Sequence, residues 1–138
     1  MNQDIVDIFL SNPQHAHTIL GSSLEQFITF FHWYLYHQDF MFLPFHRMII
    51  QKLEDIAFGR NTKRNLMINI PPRFGKSSIM KYMCAWSFMI NPQSNCVYTS
   101  YSDDLVSNFS KDIRGIIESP AFKAFIGSPL IEPDTSNT

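Results

Sequence analysis

The sequence has no surplus of charge of either sign and little cysteine. Its 138 residues carry a formal net charge of −1. Because non-specific binding to nucleic acid depends on a surplus of basic side chains, bulk charge does not draw this chain to DNA. The two cysteines, Cys84 and Cys96, lie in apolar sequence surroundings. This pattern favours buried free thiols of a reducing compartment over a disulfide.

Targeting signals and long uninterrupted apolar stretches are also missing. The first residues, MNQDIVDIFLSN, have neither the basic start nor the long apolar core of a signal peptide. The aromatic run FITFFHWYLYHQDFMFLPF is broken by His32, His37, Gln38 and Asp39. It therefore lacks the roughly 18 clean apolar residues of a membrane span. We expect a chain without an export signal or a membrane span, and internal repeats are absent as well.

What the sequence does contain is material for a hydrophobic core. It is 45% hydrophobic and 14% aromatic, with thirteen phenylalanines, and only 17% of its residues are charged. This composition is globular rather than disordered. The length suits one domain with a real core better than two.

Helical periodicity dominates the part of the sequence before residue 60. We predict a short helix in the first ten residues, a break at SNPQHAHTILGSS, and a helix over LEQFITFFHWYLYHQ with Ser22 or Ser23 as its cap. Pro44 opens a further helix that Gly59 ends. Residues 1–38 are therefore predicted to be an N-terminal helical segment.

The pattern then changes to alternating strands and helices. LMINI is predicted to be a buried strand and NCVYTSY a second strand. Helices are predicted over SSIMKYMCAWSFMI, stopped by Asn91 and Pro92, over SDDLVSNFSKDIRGIIE, capped by Ser102, and in the short PAFKAFIG turn. This order predicts an α/β fold with parallel strands over residues 39–127, although two strands make an incomplete parallel sheet. The tail, residues 128–138, is predicted to be loose.

The sequence IPPRFGKSS, between the first predicted strand and the helix after it, has the features of a phosphate-binding loop. Such a loop needs close backbone approach, an ammonium for the outer phosphates and a hydroxyl for Mg²⁺. Gly75, Lys76 and Ser77 supply these in order. The loop departs from the standard pattern because Ile70 replaces the leading glycine, and Pro71 and Pro72 remove two N–H donors.

Arg73 lies inside the loop and has two interpretations. It is either a cation that stabilises the γ-phosphate during hydrolysis, or a solvated surface arginine. An arginine in such a loop is costly unless it faces phosphate or solvent. Of the two interpretations, the functional one is favoured.

The segment NLMINIPPRFGKSSIMKYMCAWSFMINPQSNCVYTSYSDDLVSNFSKDIRGII resembles the N-terminal ATPase region of tailed-phage terminase large subunits, which are DNA-packaging motors. The resemblance covers roughly residues 40 to 127. It consists of an ordered set of motifs: Pro71-Pro72-Arg73-Phe74-Gly75-Lys76-Ser77, Trp86, Asn91-Pro92, Ser100-Tyr101-Ser102, Leu105, Phe109-Ser110 and Ile113-Arg114. Upstream, PFHRMIIQKL resembles the adenine-contacting segment of that family.

The resemblance implies a P-loop NTPase-like domain that binds ATP and Mg²⁺. Carried over to this sequence, Lys76 and Ser77 contact the phosphates, and Ser77 also holds Mg²⁺ through the nucleotide. Arg73 is implied as the catalytic arginine. Phe45 and His46 are implied at the adenine, although a packed or surface role for His46 is equally open. The full set implied for nucleotide binding is Phe45, His46, Arg73, Phe74, Gly75, Lys76, Ser77 and Ser78.

The same resemblance implies double-stranded DNA, a portal protein and a small terminase subunit as partners, in the cytoplasm of a bacterial host. The family also has a strand ending in Asp and Glu, which hold Mg²⁺ and activate water, and a nuclease domain. After Tyr101 the sequence has no such run. We therefore expect an N-terminal part of a terminase large subunit that binds ATP and is inactive alone.

Two alternatives remain. The first is a non-catalytic remnant or partner-binding module with a vestigial phosphate loop. In it the aromatic-rich Leu24 to Phe45 region is an interaction surface, and the chain self-associates or needs a partner. The second is another P-loop enzyme, a kinase or helicase-like ATPase, which the double proline and the SYS motif argue against. The other histidines have no metal-ligand spacing and are predicted to be structural or on the surface: His15, His17, His32 and His37.

Overall fold

The computed structural model describes residues 1–60 and 62–127, and within these ranges the chain forms seven α-helices and no β-strand. No helix in this part is both long and apolar enough to cross a membrane. The helices are α1 (Gln3–Ser11), α2 (Pro13–Ser22), α3 (Leu24–Tyr36), α4 (Pro44–Ala57), α5 (Lys76–Ile90), α6 (Asp103–Ile117) and α7 (Pro120–Ile126).

Five of the helices begin at a residue whose side chain caps the first turn. Side-chain oxygens accept hydrogen bonds from the backbone N–H groups that have no partner within the helix. The capping residues are Asn2, Asn12, Ser23, Ser102 and Ser119. The sequence predicted Ser102 and either Ser22 or Ser23 as caps; Ser102 is confirmed, and of the two alternatives Ser23 is the cap.

Helix α2 lies where the sequence analysis predicted a break. Pro13 occupies its first turn, where a proline costs no hydrogen bond, and the side chain of Asn12 accepts from the N–H of His15. The Asn-Pro pair therefore begins a helix rather than interrupting one. Ala16 and Leu20 of this helix are completely buried.

The predicted α/β fold with a parallel sheet, of the P-loop NTPase kind, is wrong for this structure. Residues 66–70 and 95–101, predicted as strands, carry no strand structure in the described part of the chain. A strand exists only through hydrogen bonds to a neighbour, and a parallel sheet needs cover on both faces. Here Met67 is 84% exposed and Val97 is 88% exposed, so these apolar runs lie at the surface.

An aromatic core joins α3, α5 and α7. Phe27 packs against Phe31 and Phe122, with ring centroids 4.6 Å and 6.3 Å away. Trp86 of α5 is completely buried, and its Nε1–H donates to the backbone carbonyl of Leu20, 2.9 Å away. Edge-on and tilted ring contacts of this kind add to the free energy gained from burial alone.

This core fixes the position of α5, which begins at the glycine-lysine-serine sequence. The Tyr82 hydroxyl lies 2.9 Å from Nδ1 of His32 on α3, and the Lys81 ammonium lies 2.5 Å from the Asp112 carboxylate on α6. The predicted domain bounds, residues 1–38 and 39–127, stay predictions. The predicted loose tail, residues 128–138, lies outside the described residues.

Candidate functional site

A surface cavity of about 650 Å³ lies where the sequence analysis predicted a phosphate-binding loop. This volume is within the range of roughly 300–1,000 Å³ that is typical of small-molecule sites. The cavity brings together five of the predicted nucleotide-binding residues: Arg73, Gly75, Lys76, Ser77 and Ser78. Its other walls are Ile70, Pro71, Pro72 and Tyr101.

The first turn of α5 forms the floor of this cavity and has no side-chain cap. Its N-cap is Gly75, which has no side chain to accept a hydrogen bond. Five of the other six described helices are capped by the side chain of their N-cap residue, whereas the N-cap of α4, Leu43, has no such bond. The free N–H groups and the helix dipole at this end of α5 make it suited to an anion.

The loop reaches α5 through two residues in the left-handed conformation. Arg73 has φ 67° and Gly75 has φ 82°. Left-handed conformation in a residue with a side chain costs roughly 1–2 kcal/mol, so the position of Arg73 is strained. Lys76, which follows Gly75, is already helical. Alternation of left- and right-handed residues turns neighbouring N–H groups toward one concave face, which is the geometry of an anion-binding nest.

His46 is hydrogen-bonded to this loop but does not line the cavity. Its side chain is buried, and its Nδ1 accepts a hydrogen bond from the N–H of Leu43 at 3.0 Å. Nε2 therefore carries the proton of the neutral ring, and it donates to the backbone carbonyl of Phe74 at 2.5 Å. Both ring nitrogens are engaged by backbone groups, one at the start of α4 and one in the loop before α5.

Phe45 and Phe74 form an aromatic contact beside His46. Their ring centroids are 5.9 Å apart, and the centroids of Phe45 and His46 are 4.2 Å apart. These three residues were predicted to bind the nucleotide, and none of them is among the residues that line the cavity. They support the loop from the side of α4, and an adenine contact at Phe45 or His46 stays a prediction.

The cavity lining carries positive charge and no carboxylate. Arg73 and Lys76 are both exposed, and no Asp or Glu is among the lining residues. An adjoining cavity of about 340 Å³, which shares Ser78 with the first, instead carries Lys81 together with Asp112. Two unopposed cations beside an uncapped helix N-terminus favour a multiply charged anion such as a phosphate chain.

The adjoining cavity contains two titratable side chains with shifted pKa values: His32, predicted to be structural or on the surface, and Tyr82, which sequence reasoning did not single out. Burial lowers the pKa of His32, an effect that the nearby Asp39 carboxylate partly opposes. Burial also raises the pKa of Tyr82, with smaller contributions from Tyr36 and Asp112. Sequence spacing gives no signal for this pair, since the two residues are 50 positions apart.

Tyr101 lies on the rim of the first cavity and is 96% exposed. The sequence analysis noted it only as part of a motif.

The donor groups near the loop fit a Mg²⁺ ion that arrives with a nucleotide. In the described residues no cluster of three or more His, Cys, Asp or Glu side chains is placed to hold a metal ion. In phosphate-binding loops a serine or threonine hydroxyl oxygen holds Mg²⁺ together with the phosphates of the nucleotide. The exposed Ser77 hydroxyl in the first turn of α5 is such an oxygen.

Comparisons with protein-family models, with curated proteins and with solved structures found no match to this chain.

Proposed function

We propose that the loop from Ile70 to Ser78 binds the phosphates of ATP–Mg²⁺, as the nucleotide site of a DNA-packaging ATPase of the terminase large-subunit kind. The observation that carries the proposal is the cavity at the N-terminus of α5, where Arg73 and Lys76 line the walls without a carboxylate. The uncapped N–H groups in the first turn of α5 favour the same kind of ligand, an anion such as phosphate.

Each residue of the loop has a distinct role in this proposal. The Lys76 ammonium contacts the outer phosphates, and the Ser77 hydroxyl contacts the Mg²⁺ that they carry. Gly75 lets the phosphates approach the backbone, since it has no Cβ and adopts φ 82°. Arg73, exposed and strained, faces the charge that develops on the γ-phosphate during attack by water. His46 positions the loop through its hydrogen bond to the Phe74 carbonyl.

The packaging assignment rests on the ordered motifs between Pro71 and Arg114 that resemble the terminase family. It carries with it the partners of such a motor, which are double-stranded DNA, a portal protein and a small terminase subunit. It also assigns the chain to the cytoplasm of a bacterial host. The cavity lining contains no carboxylate to activate water, so we expect the 138-residue chain to bind ATP without turning it over.

Isothermal titration calorimetry of the purified chain with ATP–Mg²⁺ tests the phosphate site. Lys76→Ala removes a charge-assisted contact of about 1.5–3 kcal/mol, so we expect it to weaken ATP affinity roughly ten- to a hundred-fold. Lys123→Ala is the matched control, because it removes the same charge from an exposed position on α7, outside the cavity. This control is expected to keep the affinity of the parent.

Two results would contradict the proposal. The first is a Lys76→Ala variant that binds ATP as tightly as the parent. The second is a parent chain that shows its full helical circular dichroism and binds no ATP at millimolar concentration. Inorganic tripolyphosphate is a useful second ligand because it has the phosphate chain of ATP but no adenine. A site that recognises only the phosphates is expected to bind it.

One observation favours an interaction module as a second candidate function. Met67, Val97 and Tyr101 are each more than four-fifths exposed and lie on the segments without helix or strand structure. Exposed apolar side chains on unpaired backbone are typical of surfaces that a partner covers. Sedimentation velocity over a range of concentrations tests this function, which predicts a mass above that of the monomer.

A further inference from the structure

The two cysteines of the chain lie in contact with each other. The Sγ atoms of Cys84 and Cys96 are 2.7 Å apart, and both residues are free thiols. They are the only cysteines in the sequence. A disulfide bond is about 2.05 Å long, so a small movement of the side chains brings the two sulfurs to bonding distance.

The turn that follows α5 builds this contact. After Ile90 the chain reverses through a turn in which the Asn91 side chain accepts from the N–H of Gln93 at 3.0 Å. The Ser94 hydroxyl then donates to the backbone carbonyl of Ser87 at 3.3 Å. The segment after the turn therefore runs back along α5, with Cys96 opposite Cys84.

We propose that Cys84 and Cys96 form a thiol–disulfide exchange site that takes a low-molecular-weight disulfide such as oxidised glutathione. In the first step one thiolate attacks a glutathione sulfur, the glutathione S–S bond breaks, and one glutathione thiolate leaves. In the second step the other thiolate attacks the cysteine sulfur of this mixed disulfide and releases the second glutathione. The two cysteines lose two protons and two electrons, and the glutathione disulfide gains them.

The environments of the two thiols decide which one reacts first. Cys96 is exposed and Cys84 is buried, so Cys96 is the residue that meets a dissolved disulfide. Burial raises the pKa of Cys84, and its contact with Cys96 raises it further. Since the thiolate is the nucleophile, the second step is slow at neutral pH and accelerates as pH rises.

The disulfide would join α5 to the segment that leads into α6. On that segment the ring of Tyr98 stacks on Phe109 of α6, with centroids 3.8 Å apart, and Tyr101 lines the cavity at the start of α5. A link at Cys96 therefore restrains the wall of that cavity that Tyr101 provides. The exchange site itself depends only on the two thiols, and it stands whether or not the cavity binds ATP.

Intact-mass spectrometry of the whole chain after incubation with oxidised glutathione tests the proposal. We expect a monomer that has lost two hydrogens, has no reactive thiol left, and returns to its starting mass with dithiothreitol. Cys84→Ser is expected to stop at a glutathione adduct on Cys96. Cys96→Ser is expected to keep a free thiol, because Cys84 is buried. In the parent chain the Cys84–Cys96 disulfide should also form at least about tenfold faster in native buffer than in urea, because folding holds the two sulfurs together.

Three outcomes would overturn the inference. They are a parent chain that keeps a stable glutathione adduct, a covalent dimer as the main product, or closure no faster in native buffer than in urea. Because all three are read on the parent sequence, a variant that fails to fold does not affect the result. Hydrogen exchange of residues 95–101 gives a further check, and it is expected to slow after oxidation.

Discussion

The imidazole of His46 donates a hydrogen bond from Nε2 to the backbone carbonyl of Phe74, at a distance of 2.5 Å. This bond ties the start of α4 to the loop before α5, across 28 residues of sequence. The other ring nitrogen accepts from Leu43, so a single buried side chain satisfies one backbone group at each end. The conformation of the loop before α5 therefore depends on a residue that does not line the cavity.

The first prediction concerns this bridge. His46→Phe keeps an aromatic ring and removes both hydrogen bonds, so the Leu43 N–H and the Phe74 carbonyl lose their partner. We expect a loss of about 1–3 kcal/mol in the free energy of unfolding, measured by urea denaturation. If the site binds ATP as proposed, calorimetry will also show weaker ATP binding, because the loop is no longer held.

His15→Phe is the matched control for this substitution. His15 is exposed on α2, and a substitution there is expected to change stability by no more than about 0.5 kcal/mol. A His46→Phe variant as stable as this control would show that the bond contributes little. Unchanged ATP affinity in a destabilised His46→Phe variant would separate the stability role from the positioning role.

The second prediction concerns Gly75. An added Cβ at this position would lie 3.1 Å from Nε2 of His46, and the backbone has φ 82°. Gly75→Ala is therefore expected to destabilise the chain by about 1–2 kcal/mol from the left-handed conformation alone.

Gly115→Ala is the contrasting variant, since Gly115 lies in α6 with nothing within 4 Å of an added Cβ. It is expected to stabilise by about 0.5–1 kcal/mol. Thermal denaturation of both variants measures this difference, and equal effects would contradict it.

Local sequence signals predicted six of the seven described helices and missed α2. Pro44, Ser102 and the Asn91-Pro92 pair act on their immediate neighbours, and α4, α6 and α5 begin or end at them as predicted. Helix α5 runs from Lys76 to Ile90, one residue longer than predicted. These signals are short-range because capping and proline geometry act within one helical turn.

The sheet could not be predicted in the same way. A short apolar run such as LMINI fits a buried strand, but its pairing depends on residues far away in the sequence. The burial of individual side chains was also harder to predict than the helices. Cys96, predicted to be buried, is exposed. The His46–Phe74 bond and the Cys84–Cys96 contact are tertiary contacts that no local pattern encodes.

The third prediction concerns the core behind the site. Trp86 is completely buried, and its Nε1–H satisfies the Leu20 carbonyl at the end of α2. Trp86→Ala removes this bond and leaves a large cavity, so we expect a loss of about 3–5 kcal/mol in the free energy of unfolding. Trp33→Ala, at the half-buried second tryptophan, is expected to cost less. Urea denaturation followed by circular dichroism compares the two, and an equal or larger loss at Trp33 would contradict the prediction.

The last prediction concerns the pH dependence of stability through His32. Burial lowers its pKa in the folded chain below the ordinary value of 6.5, while the nearby Asp39 carboxylate acts in the opposite direction. Between the lowered pKa and 6.5 the unfolded chain therefore binds more protons than the folded chain, so stability falls as pH falls through this window. Above 6.5 both states are neutral at this position and the contribution is fully present.

In the parent chain, Nδ1 of His32 lies 2.9 Å from the Tyr82 hydroxyl. His32→Gln removes the titrating group and keeps a polar side chain at this position. Urea midpoints measured from pH 5 to pH 8 are expected to decline less steeply toward acid in the variant than in the parent. His15→Gln, at an exposed position, should leave the slope of the parent unchanged. An identical slope for the parent and His32→Gln would mean that other groups cause the acid sensitivity, because only His32 differs between the two chains.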